Sequence, residues 1–122
     1  MAEVPLIFRE PGSATRFAME QFIFRNEIST IKKITLTSNE AVKQAVLAGL
    51  GYSIMPVIGL KNELHNDQLQ IIPMKGLPIT TDWNLIWLKQ KQFSPAASAY
   101  LDYLRDEKDH IISDKFSWFK KY

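Results

Sequence analysis

Eight residues near the start, Arg9-Glu10-Pro11-Gly12-Ser13-Ala14-Thr15-Arg16, constrain what this chain can fold into more than any other stretch. They follow a short apolar run, Leu6-Ile7-Phe8, and precede a helical pattern from Phe17 to Ile28. Pro11 fixes one backbone angle and Gly12 supplies the freedom a sharp reversal needs, while Ser13 and Thr15 offer hydroxyls for the free N–H groups of a first helical turn. A strand, a tight turn and a helix start are the expected result. Free N–H groups, two hydroxyls and a neighbouring arginine suit an anion, although Ser and Thr at helix starts also serve capping alone.

A second start of the same kind is Thr37-Ser38-Asn39-Glu40, after the alternating run Ile34-Thr35-Leu36. Thr37 with Glu40 three residues on fits a capping box, and Ser38 or Asn39 could cap equally well, which leaves one polar side chain to face outward. Two such junctions can flank one cleft. The helix that follows sets Val42, Ala45, Val46, Gly49 and Leu50 on one side, and Gly49-Leu50-Gly51 has the residues of a left-handed cap. Tyr52-Ser53-Ile54-Met55 then reads as a strand stopped by Pro56.

The alternation of strands and helices argues for parallel β-α-β units. In the first helix, from Ser13 to about Ile28, Ala18, Met19, Phe22 and Ile23 share an apolar face. Pro56 to Leu64 reads as a short helix ended by His65-Asn66-Asp67, and Leu69 to Met74 as a short strand. Lys75 to Asp82 is linker-like. Trp83 to Leu88 is apolar on both faces and is expected as a buried strand, which makes Trp83 and Trp87 core or interface residues more readily than a stacking platform. Ser94-Pro95 opens a last helix with Ala97, Tyr100, Leu101 and Leu104 inward, and Ile111, Ile112, Phe116, Trp118 and Phe119 return to apolar character after a polar stretch.

The chemistry that is missing narrows the function. The 122 residues, 46% hydrophobic, suffice for one domain with a real core, and a net charge of +2 from 15 basic and 13 acidic residues forms no block that would grip DNA. With no cysteine there is no disulfide, thiol nucleophile or Cys-based zinc site. His65 and His110 lie far apart and without metal-ligand spacing, no serine sits in G-x-S-x-G, and no phosphate-binding glycine loop occurs. Glu10 and Glu40 each sit beside a helix start, where a carboxylate complements the dipole. No catalytic residue, metal or cofactor is expected. No apolar run of signal-peptide or membrane-spanning length is visible.

In order along the chain, REPGSATR, TSNEAVKQAVLAGLGYSIMP, LPITTDWNLIWLK and FSPAASAYLDYL resemble the ligand-sensing domain of LysR-type transcriptional regulators, over about Pro5 to about Leu104. The resemblance implies an α/β fold, a periplasmic-binding-protein-like (type 2) lobe with a mixed, mostly parallel sheet flanked by helices. Residues 1–80 would be the second lobe, and 81–122 a return strand and C-terminal helical segment belonging with the first lobe. It implies an effector-binding regulatory role in a cytoplasmic, non-enzymatic protein, with a small organic anion held in an interlobe cleft. From this lobe the contacts would be Gly12, Ser13, Thr15, Arg16, Ser38 and Asn39, Arg16 having the alternative of pairing with Glu20. In such regulators a winged helix-turn-helix and the first lobe precede the arginine-rich turn, so Met1-Ala2 reads as an expression start at a lobe boundary or a truncated frame. DNA contact would then belong to the parent protein. A homo-oligomer joined through Trp83 to Leu88 and the C-terminal helix is the expected assembly, with folding back of the tail as the alternative. An enzyme, or a transporter's solute receptor, built on the same lobe remains the other functional reading.

Overall fold

A computed structural model describes residues 4–30 and 32–122. The chain divides into two units, 1–79 and 80–122, each described by itself.

In the first unit, β1 (Leu6–Arg9) and β2 (Lys33–Leu36) pair in parallel, with Ile7 opposite Ile34 and Arg9 opposite Leu36. Strand side chains alternate, so Ile7, Arg9, Ile34 and Leu36 look to one face and Leu6, Phe8 and Lys33 to the other. Helix α2 (Asn39–Leu47) covers the first face, where Ile7, Val42 and Ala45 are buried and Ile34, Leu36, Val46 and Met55 pack around them. Helix α1 (Ala14–Arg25) serves the other, with Phe8, Met19 and Phe22 buried. The Arg16 guanidinium lies 5.6 Å from the centre of the Phe8 ring and Lys33 Nζ 5.5 Å from it. Two cations thus close the rim of an apolar layer.

The strand expected at Tyr52–Met55 is reduced to a single parallel bridge. Ile7 N donates to Tyr52 O at 2.8 Å and Tyr52 N to Pro5 O at 3.0 Å, but Ser53 Oγ then donates to Ile7 O at 2.7 Å. That hydroxyl takes the acceptor which the next rung of a parallel ladder needs. Gly51 permits the approach, because a Cβ there would stand 2.3 Å from Pro5 O and 3.1 Å from Ile7 Cγ1.

After α2 the chain caps as expected, with Gly49 at φ +73°. Leu50, expected on the inner side, is instead 53% exposed, since the left-handed residue before it turns the chain away from the helical stripe. A 3₁₀ turn, Val57–Leu60, runs into α3 (Lys61–His65), burying Leu60 and Leu64. Lys43 Nζ ties the helices together, 2.9 Å from Glu40 and 2.8 Å from Glu63. Leu69–Met74 forms no strand. Gln68 N and Leu69 N both donate to Glu63 O, which wraps the chain around the end of α3 rather than along a sheet edge, and Ile71, Ile72 and Met74 stay exposed.

The second unit departs furthest from the pattern. Trp83 to Leu88, expected as a buried strand, is irregular and exposed, Trp83 at 87% and Ile86 at 85%. No described strand lies alongside to bond its backbone, and an apolar run without a ladder partner has no reason to extend. Helix α4 (Pro95–Phe116) opens with Ser94 Oγ accepting from Ala97 N at 3.3 Å and Pro95 at its first position. It carries on through the polar residues 105–110 to a 3₁₀ turn, Ser117–Lys121. None of its residues is buried; Leu101 and Leu104 are half-covered, whereas Tyr100, expected inward, is 62% exposed. Among the described residues no helix is long and apolar enough to cross a membrane.

Candidate functional site

Because β1 and β2 run parallel, the helices that follow them start at the same edge of the sheet, where open α/β sheets present ligand sites. Each start is built by local chemistry. Glu10-Pro11-Gly12-Ser13 makes a turn in which Ser13 N donates to Glu10 O at 3.3 Å, and Gly12 at φ +90° takes the position a type II turn reserves for glycine. Nothing lies within 4 Å of where a Cβ on Gly12 would be, so the turn leaves its outer side open.

Ser13 and Ser38 are the caps. Ser13 Oγ accepts from Arg16 N at 3.5 Å and Ser38 Oγ from Ala41 N at 3.0 Å. The Thr37–Glu40 capping box does not form; Glu40 bonds Gln44 Nε2 at 2.9 Å and Lys43 instead. Those two neighbours, Gln44 first, hold its carboxyl below the usual range. Thr15 is half-covered in the first turn of α1, and its hydroxyl has no partner among the described residues. Arg16 takes the pairing alternative, with Nε 2.8 Å from Glu20 Oε1 and an Nη1–H donated to Arg9 O at 3.0 Å.

Asn39 supplies the link between the two starts. Its Oδ1 accepts a hydrogen bond from Nη1 of Arg9, thirty residues earlier. Arg9 shares a strand face with Ile7 and so points toward α2, whereas Glu10 begins the turn and reaches back to it. The guanidinium and carboxylate meet as a fork, Nε–Oε2 at 2.7 Å and Nη2–Oε1 at 2.8 Å. The Arg9 bond, chief among the causes, holds the Glu10 carboxyl down to about 2. Sequence reasoning passed over Arg9, although its two-residue spacing from Ile7 was the available signal. Ser13, Thr15, Arg16, Ser38 and Asn39 therefore all lie at one sheet edge, with Arg9 as the connection between the two junctions.

Residues 1–109 match the family described as the LysR substrate binding domain. The chain belongs to that family. The HTH-type transcriptional activator CmpR of Synechocystis sp. is 43% identical over 100 residues, 82% of this chain and 33% of that protein. A RuBisCO operon transcriptional regulator of Allochromatium vinosum is 39% identical, over 88% of this chain and 35% of its own length. The regulator CbbR of Rhodospirillum rubrum is 36% identical, over 81% and 33%. The chain spans about a third of the length of these relatives. Membership implies the periplasmic-binding-protein-like fold, of which the parallel pair between α1 and α2 is the recognisable part. These relatives are transcriptional regulators rather than enzymes.

Proposed function

We propose that this chain is the second lobe of the effector-sensing domain of a cytoplasmic LysR-type transcriptional regulator, and that it contributes one wall of a cleft for a small organic anion. The observation that carries the reading is the pairing of two capped helix starts at one sheet edge, joined by Arg9 and Asn39. N–H dipoles of two helices converge there, and a carboxylate or phosphate is the ligand chemistry they favour. Gly12 leaves the approach open, while Thr15 and the outward side of the Ser38–Asn39 turn offer hydroxyl and amide groups. Such a ligand acts by differential affinity for two lobe arrangements, with no bond chemistry, cofactor or metal.

Residues 1–80 are the lobe proper, and 81–122 are the return segment. DNA contact belongs to the parent protein, in keeping with regulator names such as those of the RuBisCO operon relatives. The exposed Trp83, Leu85, Ile86, Trp87 and Leu88 also favour association with a second copy, together with the exposed Ile112 and Phe119 and the half-covered Ile111, Phe116 and Trp118. Light scattering across a concentration series should reveal a dimer or larger species that Trp87→Lys weakens; a monomer at all concentrations counts against assembly. The ligand reading is tested by a calorimetric screen of carboxylate and phosphate metabolites against the parent protein. Thr15→Val and Ser38→Ala should weaken the ligand found, and unchanged affinity in both discards the site.

A further inference from the structure

The site just proposed contains an arginine that is not free. Of the five N–H donors of a guanidinium, Arg9 spends two on Glu10 and a third on Asn39 Oδ1. Its side chain is 17% exposed and that of Glu10 34%, so the pair is mostly covered but still open to the sheet edge. Arg16, the other arginine at this edge, is matched by Glu20. Both cations therefore carry a carboxylate of the chain's own, and the helix starts sit in a locally neutral frame. A side-on fork between Arg and carboxylate is the geometry a ligand carboxylate or phosphate would also adopt on a guanidinium.

We propose that Glu10 is the resident counter-ion of an anion-reading arginine: its carboxylate holds the two Arg9 donors, Nε–H and Nη2–H, that a ligand's acidic group would otherwise take. The inference rests on the ligand reading above and adds to it what sets the ligand's charge. An incoming anion must displace Glu10 from the fork or accept only the remaining N–H groups of Arg9. Ligands that merely accept from the helix starts bind without that exchange, so Glu10 disfavours strongly charged anions and makes Arg9 respond only to a group that outcompetes it. The Asn39 bond transmits the exchange, because a guanidinium that turns from Glu10 toward a ligand also changes its grip on the start of α2. Glu10 is held below the usual carboxylate range, chiefly by its bond to Arg9, so near neutral pH it is a standing competitor rather than a proton switch.

The test follows the Arg9 Nε–H resonance and the Asn39 backbone and side-chain amides by NMR while the chain is titrated with sodium sulfate and, separately, sodium acetate. Glu10→Gln should tighten sulfate at Arg9 on the order of tenfold over the unaltered chain. Acetate should tighten less. Glu107→Gln, which changes net charge equally in the other unit, should leave both titrations as they were, and Arg9→Gln in the Glu10→Gln background should abolish the gain. No gain in Glu10→Gln, an equal gain in Glu107→Gln, or a gain that survives loss of Arg9 overturns the proposal. The Ser13–Arg16 and Ser38–Ala41 amides of the unaltered chain report on the ligand reading separately. If they stay silent while Glu10→Gln gains sulfate at Arg9, the two-junction site fails and with it the ligand-setting role of Glu10, leaving only the competition of Glu10 for the Arg9 donors.

Discussion

The layer around β1 and the segment from Trp83 to Leu88 are both rich in large apolar side chains, yet Ile7 and Phe8 are 0% and 1% exposed while Trp83 and Ile86 are 87% and 85%. Hydrophobic content does not separate them. β1 has a ladder neighbour in β2, a bridge to Tyr52 and a helix on each face, and its short run is satisfied in both backbone and side chain. Trp83 to Leu88 has no described ladder neighbour, and its side chains remain in water. A strand is thus a property of a pair of segments, and an apolar run alone specifies only the wish to be buried.

The sharpest way to break that comparison is truncation on each side of it. Ile7→Ala removes a fully buried side chain between α2 and the sheet and should cost about 2–5 kcal/mol in denaturant unfolding. At concentrations low enough to keep the chain monomeric, Ile86→Ala should shift the same curve by no more than about 0.5 kcal/mol. Equal effects would mean that Trp83 to Leu88 is packed in solution. Gly51→Ala probes the bridge to Tyr52. Its new methyl must move the Pro5 carbonyl, and a loss of about 1–3 kcal/mol is expected, with exchange protection falling first at the Ile7 and Tyr52 amides.

How much was legible follows from the same contrast. Local signals held where one residue's chemistry decides the outcome. Ser13, Ser38 and Ser94 cap, Pro95 opens α4, and Gly12 and Gly49 take positive φ, all within reach of a few neighbours along the chain. The parallel β-α-β order was legible because helical and strand periods alternate there. Apart from the local Thr37–Glu40 capping box, which gave way to Ser38 as the cap, the larger failures gather where a distant partner decides. Tyr52–Met55 lost its ladder to one serine hydroxyl, Leu69–Met74 was drawn onto the end of α3, and Trp83–Leu88 had no described neighbour to pair with. At the candidate site the helix starts were visible, but the bond from Arg9 to Asn39 was not, because it joins the end of β1 to the first residue of α2, thirty residues on, and the spacing from Ile7 gives the face of Arg9 without its partner.

Smaller effects sharpen the picture at the sheet edge. Ser38→Ala should cost about 0.5–2 kcal/mol by freeing the Ala41 N–H, and helical dichroism should fall with it; Ser94→Ala, capping a helix with no buried residue, should fray only the first turn of α4. The Glu10 carboxyl, lowered from 4.5 to about 2 by Arg9, gives a pH signature of definite sign. A depressed folded-state value contributes stability that is complete above about 4.5 and is lost as pH falls toward about 2. Carboxyl-carbon NMR should find Glu10 titrating well below the usual carboxylate range, and Arg9→Gln should return it toward that range.

The central claim is that the starts of α1 and α2 act as one anion site. An amide-resolved NMR titration of this chain with small carboxylate and phosphate ions tests it most directly. The Ser13–Arg16 and Ser38–Ala41 amides should shift together and saturate at a common midpoint. Shifts at only one helix start, two different midpoints, or changes confined to the exposed lysines would contradict it.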